Sequence, residues 1–330
     1  MLDRILAKSL QGEVVSPEEI AFLFEFPLFS EESAKIIAAS RRKSERASDG
    51  LAEVHAQVGL NIAPCPKNCA FCAFAAVNKV FERASELSVG EAVAAARQFE
   101  LDGANAIYVM ATADYPFAKY IELSQEIRSN LQPETVLVAN VGDFDRKEAE
   151  QLRDAGYSGI YHAVRLGEGR VTSLSVEQRL RTLHNAREAG LIVGTCVEPV
   201  GSEHRIEELV EKTVISRECS PRFSGAARRI PIPGTELARH GIVSEARMAH
   251  ILAVVRLAVG YDVPGNCTHE PNGIGAAAGA NLLWAESGSN PRDTEEKTEQ
   301  QRGMTVQDCA SVFREGEWRV LQGPSRLYSK

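Results

Sequence analysis

Eight short apolar runs, each followed by a stretch of helical pattern, set the strongest limit on what this chain can fold into. The runs near 54–62, 105–111, 135–141, 158–165, 191–198, 224–231, 262–269 and 280–286 read as strands. Apolar segments of this length, bounded by turn residues, mark strands covered on both faces. The helical stretches between them carry start and stop signals. Ser88 with Glu91, and Ser175 with Gln178, are spaced as capping boxes. "LDGA" (101–104), "DAG" (154–156) and "EAG" (188–190) supply small-residue stops before the next strand. Strictly alternating strands and helices build a parallel sheet. Eight units of about 30 residues predict an α/β fold, a closed (β/α)8 TIM-type barrel, with a doubly wound open sheet as runner-up. Residues 1–50 read as an N-terminal helical extension, in which Ser16, Pro17 and Glu19 open a helix expected to cover one end of the sheet. Residues 51–330 form the barrel, with a charged tail (290–308) expected to cross the surface before a last short helix.

Composition narrows the function classes. No run of 18 apolar residues is present, and "MLDRILAKSLQGE" has no signal-peptide core, so a cytoplasmic protein without a membrane span is expected. A net charge of −8 disfavours a broad nucleic-acid or anionic-membrane surface and leaves small molecules or proteins as partners. Seven cysteines, three of them clustered, point to metal or redox chemistry in a reducing compartment, not to a disulfide scaffold.

The cluster is "NIAPCPKNCAFCAFA" (61–75), just after the first strand, where a barrel keeps its functional loops. Cys65, Cys69 and Cys72 follow C-x3-C-x2-C. Structural zinc takes four protein ligands, and no second cysteine pair exists, although a histidine such as His55 is one way to complete a site. Three thiolates without a fourth suit a 4Fe-4S cluster with one iron open to an exogenous ligand.

This loop resembles the cluster motif of the radical S-adenosylmethionine (SAM) superfamily, with Phe71 matching the aromatic that precedes the third cysteine. "LQGEVVSPEEIAFLFEF", "AGLIVGTCVEPVG", "PIPGTEL" (231–237) and "AGANLLW" (278–284) resemble the biotin-synthase-like group. That group includes biotin synthase, the hydrogenase maturase HydE, methylornithine synthase and proteins associated with Hmd hydrogenase. The resemblance implies a full barrel, a 4Fe-4S cluster on Cys65, Cys69 and Cys72, and SAM as cosubstrate. It also implies a small-molecule substrate and an electron donor such as flavodoxin or ferredoxin. In the family, one electron cleaves SAM to a 5′-deoxyadenosyl radical that abstracts hydrogen from the substrate, in reactions that include cofactor biosynthesis and hydrogenase cofactor maturation. "MATADY" (110–115) stands where the family's glycine-rich turn holds SAM, which makes Ala111, Thr112 and Ala113 cofactor-binding candidates, with the acidic member displaced to Asp114. Arg165 and Glu168, after strand four, match the positions that contact SAM's carboxylate and ribose; a surface ion pair is the plain alternative.

The second, sulfur-donating cluster of biotin synthase needs further thiolates, and Val109, Val138 and Gly194 occupy the matching positions. Cys196 shares a strand face with Gly194. Cys219, Cys267 and Cys309 read as small buried hydrophobes, Cys267 being the one beside a strand end. Polar residues at strand ends add Glu198, Arg229 (or its neighbour Arg228) and His269 as catalytic candidates. His162, His204, Glu270, Asn272 and Asn140 are weaker ones, with His204 read as a helix cap. Direct sulfur insertion and a non-catalytic zinc or iron-sulfur protein stand as alternatives. A Schiff-base lyase lacks a lysine at these strand ends.

Overall fold

Parallel strands close on themselves around a filled interior. They are β1 (Leu51–Gly59), β2 (Ala106–Met110), β3 (Leu137–Asn140), β4 (Gly159–Tyr161), β5 (Ile192–Gly194), β6 (Phe223–Arg228), β7 (Gly265–Cys267) and β8 (Leu282–Gly288). Each pairs with the next, and β8 returns to β1 in register from Glu53–Leu282 to Gly59–Gly288, so the sheet is a barrel and not an open sheet. The computed structural model describes residues 1–329; Lys330, the last residue of the expected barrel span, lies outside them. No helix among the described residues is long and apolar enough to cross a membrane.

Alternation within each strand sorts the side chains into two layers. Val54, Ala56 and Val58 of β1, with Ile107 and Val109 of β2, face the surrounding helices. Tyr108, Val138, Tyr161, Phe223 and Trp284 fill the interior. Val109 therefore points away from the barrel axis, which corrects its expected inward place; the inward residue of that turn of strand is Tyr108. Gly194 does face inward, because a Cβ there would meet Cε1 of Phe223 at 2.1 Å. The barrel base is sealed by polar pairing: His55 Nδ1 lies 3.0 Å from the Tyr108 hydroxyl, His55 Nε2 lies 2.8 Å from Glu53 Oε2, and the hydroxyls of Tyr108 and Tyr328 are 3.0 Å apart. Both His55 nitrogens are thus engaged at the base, which removes this histidine as a zinc ligand for the cysteine loop.

Three helices precede the barrel: α1 (Leu2–Leu10), α2 (Pro17–Phe24) and α3 (Glu31–Ala47). α2 starts as its sequence requires, with Pro17 in the first turn and a reciprocal Ser16–Glu19 box. These helices pack on the flank of the barrel and not on its end. Ile5, Ile20, Leu23 and Ile36 bury their side chains against the helix Glu245–Ala258, which is buried from Met248 to Ala258. Gly279, at φ +105°, lets the chain before β8 approach the Ser40 backbone, and Ser40 Oγ donates to the Ala278 carbonyl at 2.7 Å. Ser88–Glu91 forms a full capping box, whereas Ser175 caps through its side chain alone.

The charged tail runs over the surface, exposed at 295–297 and 299–301, but is pinned to the barrel by buried members. Asn290, Asp293 and Thr298 are buried, and Glu286 of β8 is held by Arg292 (2.6 Å) and Arg302 (2.7 Å). A parallel pairing of Arg319–Val320 with Leu51–Ala52 follows the last helix, Val306–Glu315.

Candidate active site

The C-terminal ends of the strands open into one cavity that takes in the cysteine loop, the turn after β2 and the ends of β4 to β8. Cys65, Cys69 and Cys72 all line it, as do Phe71, Ala111, Thr112, Ala113, Arg165, Glu198, Arg229 and His269. Of the polar residues singled out in the sequence, Asp114, Glu168, His204, Glu270 and Asn272 are not on its wall.

The loop is fixed by its backbone. Cys65 N–H donates to the Phe74 carbonyl (2.7 Å) and Cys72 N–H to the Cys69 carbonyl (2.9 Å). Neighbouring loops strap it from both sides, through Ala70 N–H to the Val171 carbonyl, Ser173 N–H to the Lys67 carbonyl, and Ala73 N–H to the Pro291 carbonyl, at 2.8, 3.0 and 2.8 Å. Asn68 turns the chain in left-handed conformation at φ +49°. Burial pushes the Cys65 thiol up to about 11 and the Cys72 thiol, with Cys69 beside it, up to about 12. Such thiols become thiolates only against a compensating cation, which is the donor chemistry of a metal centre.

The spacing of the sulfurs also selects the kind of centre. A tetrahedral zinc with bonds of about 2.3 Å holds its sulfurs about 3.8 Å apart. Among the described residues, the group whose ligand atoms all lie within 4.8 Å of one another is Cys196, Cys267 and His269, not the loop cysteines. The loop cysteines fall outside that spacing, and three thiols for the four iron corners of a cube suit a 4Fe-4S cluster with one iron open.

On the opposite wall, Asn61 clamps the turn after β2. Its Nδ2 donates to Thr112 Oγ1 at 2.9 Å, and Thr112 N–H donates to Asn61 Oδ1 at 2.9 Å. Gly142 is needed beneath this turn, since a Cβ there would sit 2.4 Å from the Ala113 carbonyl oxygen. Arg165 reaches across to Glu198, Nε to Oε1 at 3.4 Å, so it is no surface ion pair. Burial opposes its charge, but Glu198 and Glu168 outweigh that and raise its affinity for the proton. Glu168 turns under the loop, between Gly167 and Gly169 at positive φ, where it accepts from Arg165 N–H (3.0 Å) and the Thr172 hydroxyl (2.9 Å). It positions Arg165 and leaves no oxygen on the wall. His162 lies 3.0 Å from Asp143 and 3.1 Å from Arg179; burial and that guanidinium pull it down to about 4, so the ring is neutral.

Arg229 faces the cavity while Arg228 turns away to Glu270 and Glu245. Glu203 grips both terminal nitrogens of Arg229, one at 2.8 Å, and leaves its buried Nε without a partner. Glu203 drops to about 2, because the Arg229 contact outweighs burial. Asn272 caps the short helix Gly273–Ala277, His204 Nδ1 accepts from Gly201 N–H at 2.9 Å, and Asn140 Nδ2 donates to Gln57 at 2.8 Å. Cys219 and Cys309 sit in the apolar layer outside the barrel. Burial raises the Cys267 thiol, but the neighbouring Cys196 and His269 side chains outweigh it and bring the thiol down to about 7.

Sequence reading missed Gln57, Glu286, Asn290 and Arg292, all on the cavity wall. Arg292 Nη1 is buried without a partner, whereas its Nη2 is held by Glu286. A carboxylate at the end of an otherwise apolar strand was the available signal for Glu286.

A closed parallel barrel with three cysteines of its first loop lining the central cavity has the features of a cluster-bearing barrel enzyme, and sequence comparison names the class. The pattern described as the "Radical SAM superfamily" matches residues 63–214, and together with the biotin synthase relatives it supports the radical SAM superfamily and its biotin-synthase-like group for this chain. It is 24% identical over 270 residues to biotin synthase of Carboxydothermus hydrogenoformans, covering 78% of this chain and 82% of that protein. Biotin synthase of Hyphomonas neptunium is 26% identical over 254 residues, with 73% and 76% covered. In fold, the chain is similar to the FeFe-hydrogenase maturase HydG of Carboxydothermus hydrogenoformans (TM-score 0.82, 18% identity, 100% of this chain and 81% of that one). It is also similar to methylornithine synthase PylB (TM-score 0.79, 16% identity, 98% of each chain). The protein is a radical SAM enzyme; enzymes of this family use a 4Fe-4S cluster and SAM, act on small molecules and need a reductant.

Proposed function

We propose that Cys65, Cys69 and Cys72 hold the cluster and that SAM lies between the cysteine loop and the turn Ala111–Ala113, with Arg165 facing its carboxylate. The observation that carries this reading is the convergence of all three loop cysteines on the same cavity as a charged Arg165. When bound, the cluster supplies the electron that cleaves SAM to a 5′-deoxyadenosyl radical, which takes a hydrogen atom from the substrate.

The chain's own residues bind and orient. Asn61 fixes the Thr112 turn, Glu168 holds the Arg165 backbone, Glu198 pairs with its guanidinium, and Phe71 lines the cavity beside the loop. Deeper in, Arg292 Nη1 is a buried donor without a partner, suited to an anionic group of the substrate. Glu198, Arg229 and His269 complete the substrate-facing wall. An accessory role for residues 1–50 beside a barrel of residues 51–330, a flavodoxin- or ferredoxin-type donor and a cytoplasmic setting belong to the same proposal. A role in cofactor biosynthesis or maturation is supported by the biotin synthase relatives. Sulfur insertion of the biotin synthase type is disfavoured, because Val138 and Gly194 bring no thiolate to the inner wall.

Anaerobic reconstitution tests this. The expected result is stoichiometric iron and sulfide, a SAM-induced change in the EPR spectrum of the reduced cluster, and 5′-deoxyadenosine with dithionite. One zinc without iron, and no 5′-deoxyadenosine, would overturn it. Deuterium transfer between 5′-deoxyadenosine and metabolites of an anaerobic extract then identifies the substrate.

A further inference from the structure

Below the cavity floor lies a second set of metal-ligating side chains that the cluster reading leaves unused. Cys196 follows β5, Cys267 ends β7, and His269 stands two residues further on. Their ligand atoms all lie within 4.8 Å of one another. Both cysteines are buried, at 2% and 0% exposure, and lie behind the cavity wall that His269 helps to form. Neither thiol has a strong hydrogen bond: the nearest acceptors are carbonyls at 3.9 and 4.0 Å. The His269 ring is oriented as a ligand is. Its Nδ1 lies 3.3 Å from Glu198 Oε2, and Nε2 is buried without any partner.

We propose that Cys196, Cys267 and His269 bind one divalent cation of the zinc type, separate from the cluster loop, with a fourth coordination position toward the cavity for water or a substrate heteroatom. Two thiolates and an imidazole are a familiar three-ligand zinc set, and zinc–sulfur and zinc–nitrogen bonds of about 2.3 and 2.0 Å need the ligand atoms to draw together by only about 1 Å. A carboxylate on the second ring nitrogen is the usual support for a metal-bound histidine. A two-iron cluster is disfavoured, because it takes four protein ligands.

The test is zinc binding by the full chain, both as cluster-reconstituted enzyme and as the variant Cys65→Ala/Cys69→Ala/Cys72→Ala. Both should retain one zinc after dialysis, and X-ray absorption at the zinc edge of the loop variant should show two sulfurs and a nitrogen in the first shell. If the second site holds zinc as proposed, the loop variant loses iron and sulfide but keeps zinc, so the two readings fail separately. Cys196→Ser/Cys267→Ser should lose the zinc. His269→Gln, at the cavity wall and tolerant of folding, should weaken zinc binding at least tenfold. A zinc-free chain, a sulfur-free first shell, residual iron and sulfide in the loop variant, a Cys196–Cys267 disulfide in protein isolated without oxygen, or unchanged affinity in His269→Gln would each overturn the proposal.

Discussion

Glu198 forms ion pairs on both sides of the cavity: Oε1 lies 3.4 Å from Arg165 Nε, and Oε2 lies 3.3 Å from His269 Nδ1. Burial opposes ionisation of this carboxyl, but His269 and Arg165 outweigh it and keep it charged. One carboxylate thus ties the proposed SAM end of the cavity to its floor.

Removing that carboxylate leaves Arg165 without its partner in a poorly hydrated place. A wholly buried pair costs about 3–5 kcal/mol to break, and the partial exposure of Arg165 reduces this to about 2 kcal/mol for Glu198→Gln in urea unfolding. In a double-mutant cycle with Arg165→Met, a coupling of about 1–2 kcal/mol is expected. Strict additivity would show that the two groups do not stabilise each other.

Cys69→Ala should abolish iron and sulfide binding while the unfolding free energy changes by less than about 1 kcal/mol, because the loop is held by backbone hydrogen bonds and not by that side chain. Iron analysis beside thermal unfolding checks both halves. Retained iron would refute the ligand assignment.

Thr112→Val keeps the shape of the turn but removes the oxygen that accepts from Asn61. A lost buried hydrogen bond of about 1–1.5 kcal/mol should weaken SAM binding roughly tenfold, read by equilibrium dialysis. Unaltered affinity would place SAM away from this turn.

Gly59→Ala should be severely destabilising, by more than about 3 kcal/mol, since its Cβ would lie 1.8 Å from the Ser289 carbonyl oxygen and backbone must move. Soluble yield and urea midpoint measure it; a near-neutral variant would mean that the β1–β8 contact is looser than described.

Lys43 on α3 is buried, with Ser9 Oγ 2.9 Å from its Nζ, and burial followed by the charge of Arg256 lowers it to about 7. The unfolded chain takes up this proton near pH 10.5 but the folded one only near 7. Between those values the unfolded state binds more protons, so stability falls as pH falls. Relative to Lys43→Met, the wild type should lose about 1.4 kcal/mol per pH unit from pH 10 towards 7. A flat difference would contradict the burial of the charge.

The barrel was legible in the sequence because each strand is a short apolar run between helix signals, and all eight runs became strands. Their ends were not. The run expected at 191–198 breaks after Gly194 and resumes at Val197–Val200 with a shifted register against β6, where Pro199 has no N–H to give. Cys65, Cys69 and Cys72 were readable because their spacing is local. Glu168 was misplaced because the two glycines beside it turn the side chain beneath the loop. Arg292 was hidden in a tail whose charge suggested solvent, and Cys196, Cys267 and His269 meet only through barrel closure, which no local spacing encodes.

The straps at Lys67, Ala70 and Ala73 carry a consequence for the lifetime of the enzyme. Because they join backbone to backbone, they neither wait for a metal nor release when one departs. Oxygen damage to the site and collapse of the fold are thereby uncoupled, and a chain stripped of its iron keeps a frame into which a new cluster can be set without refolding.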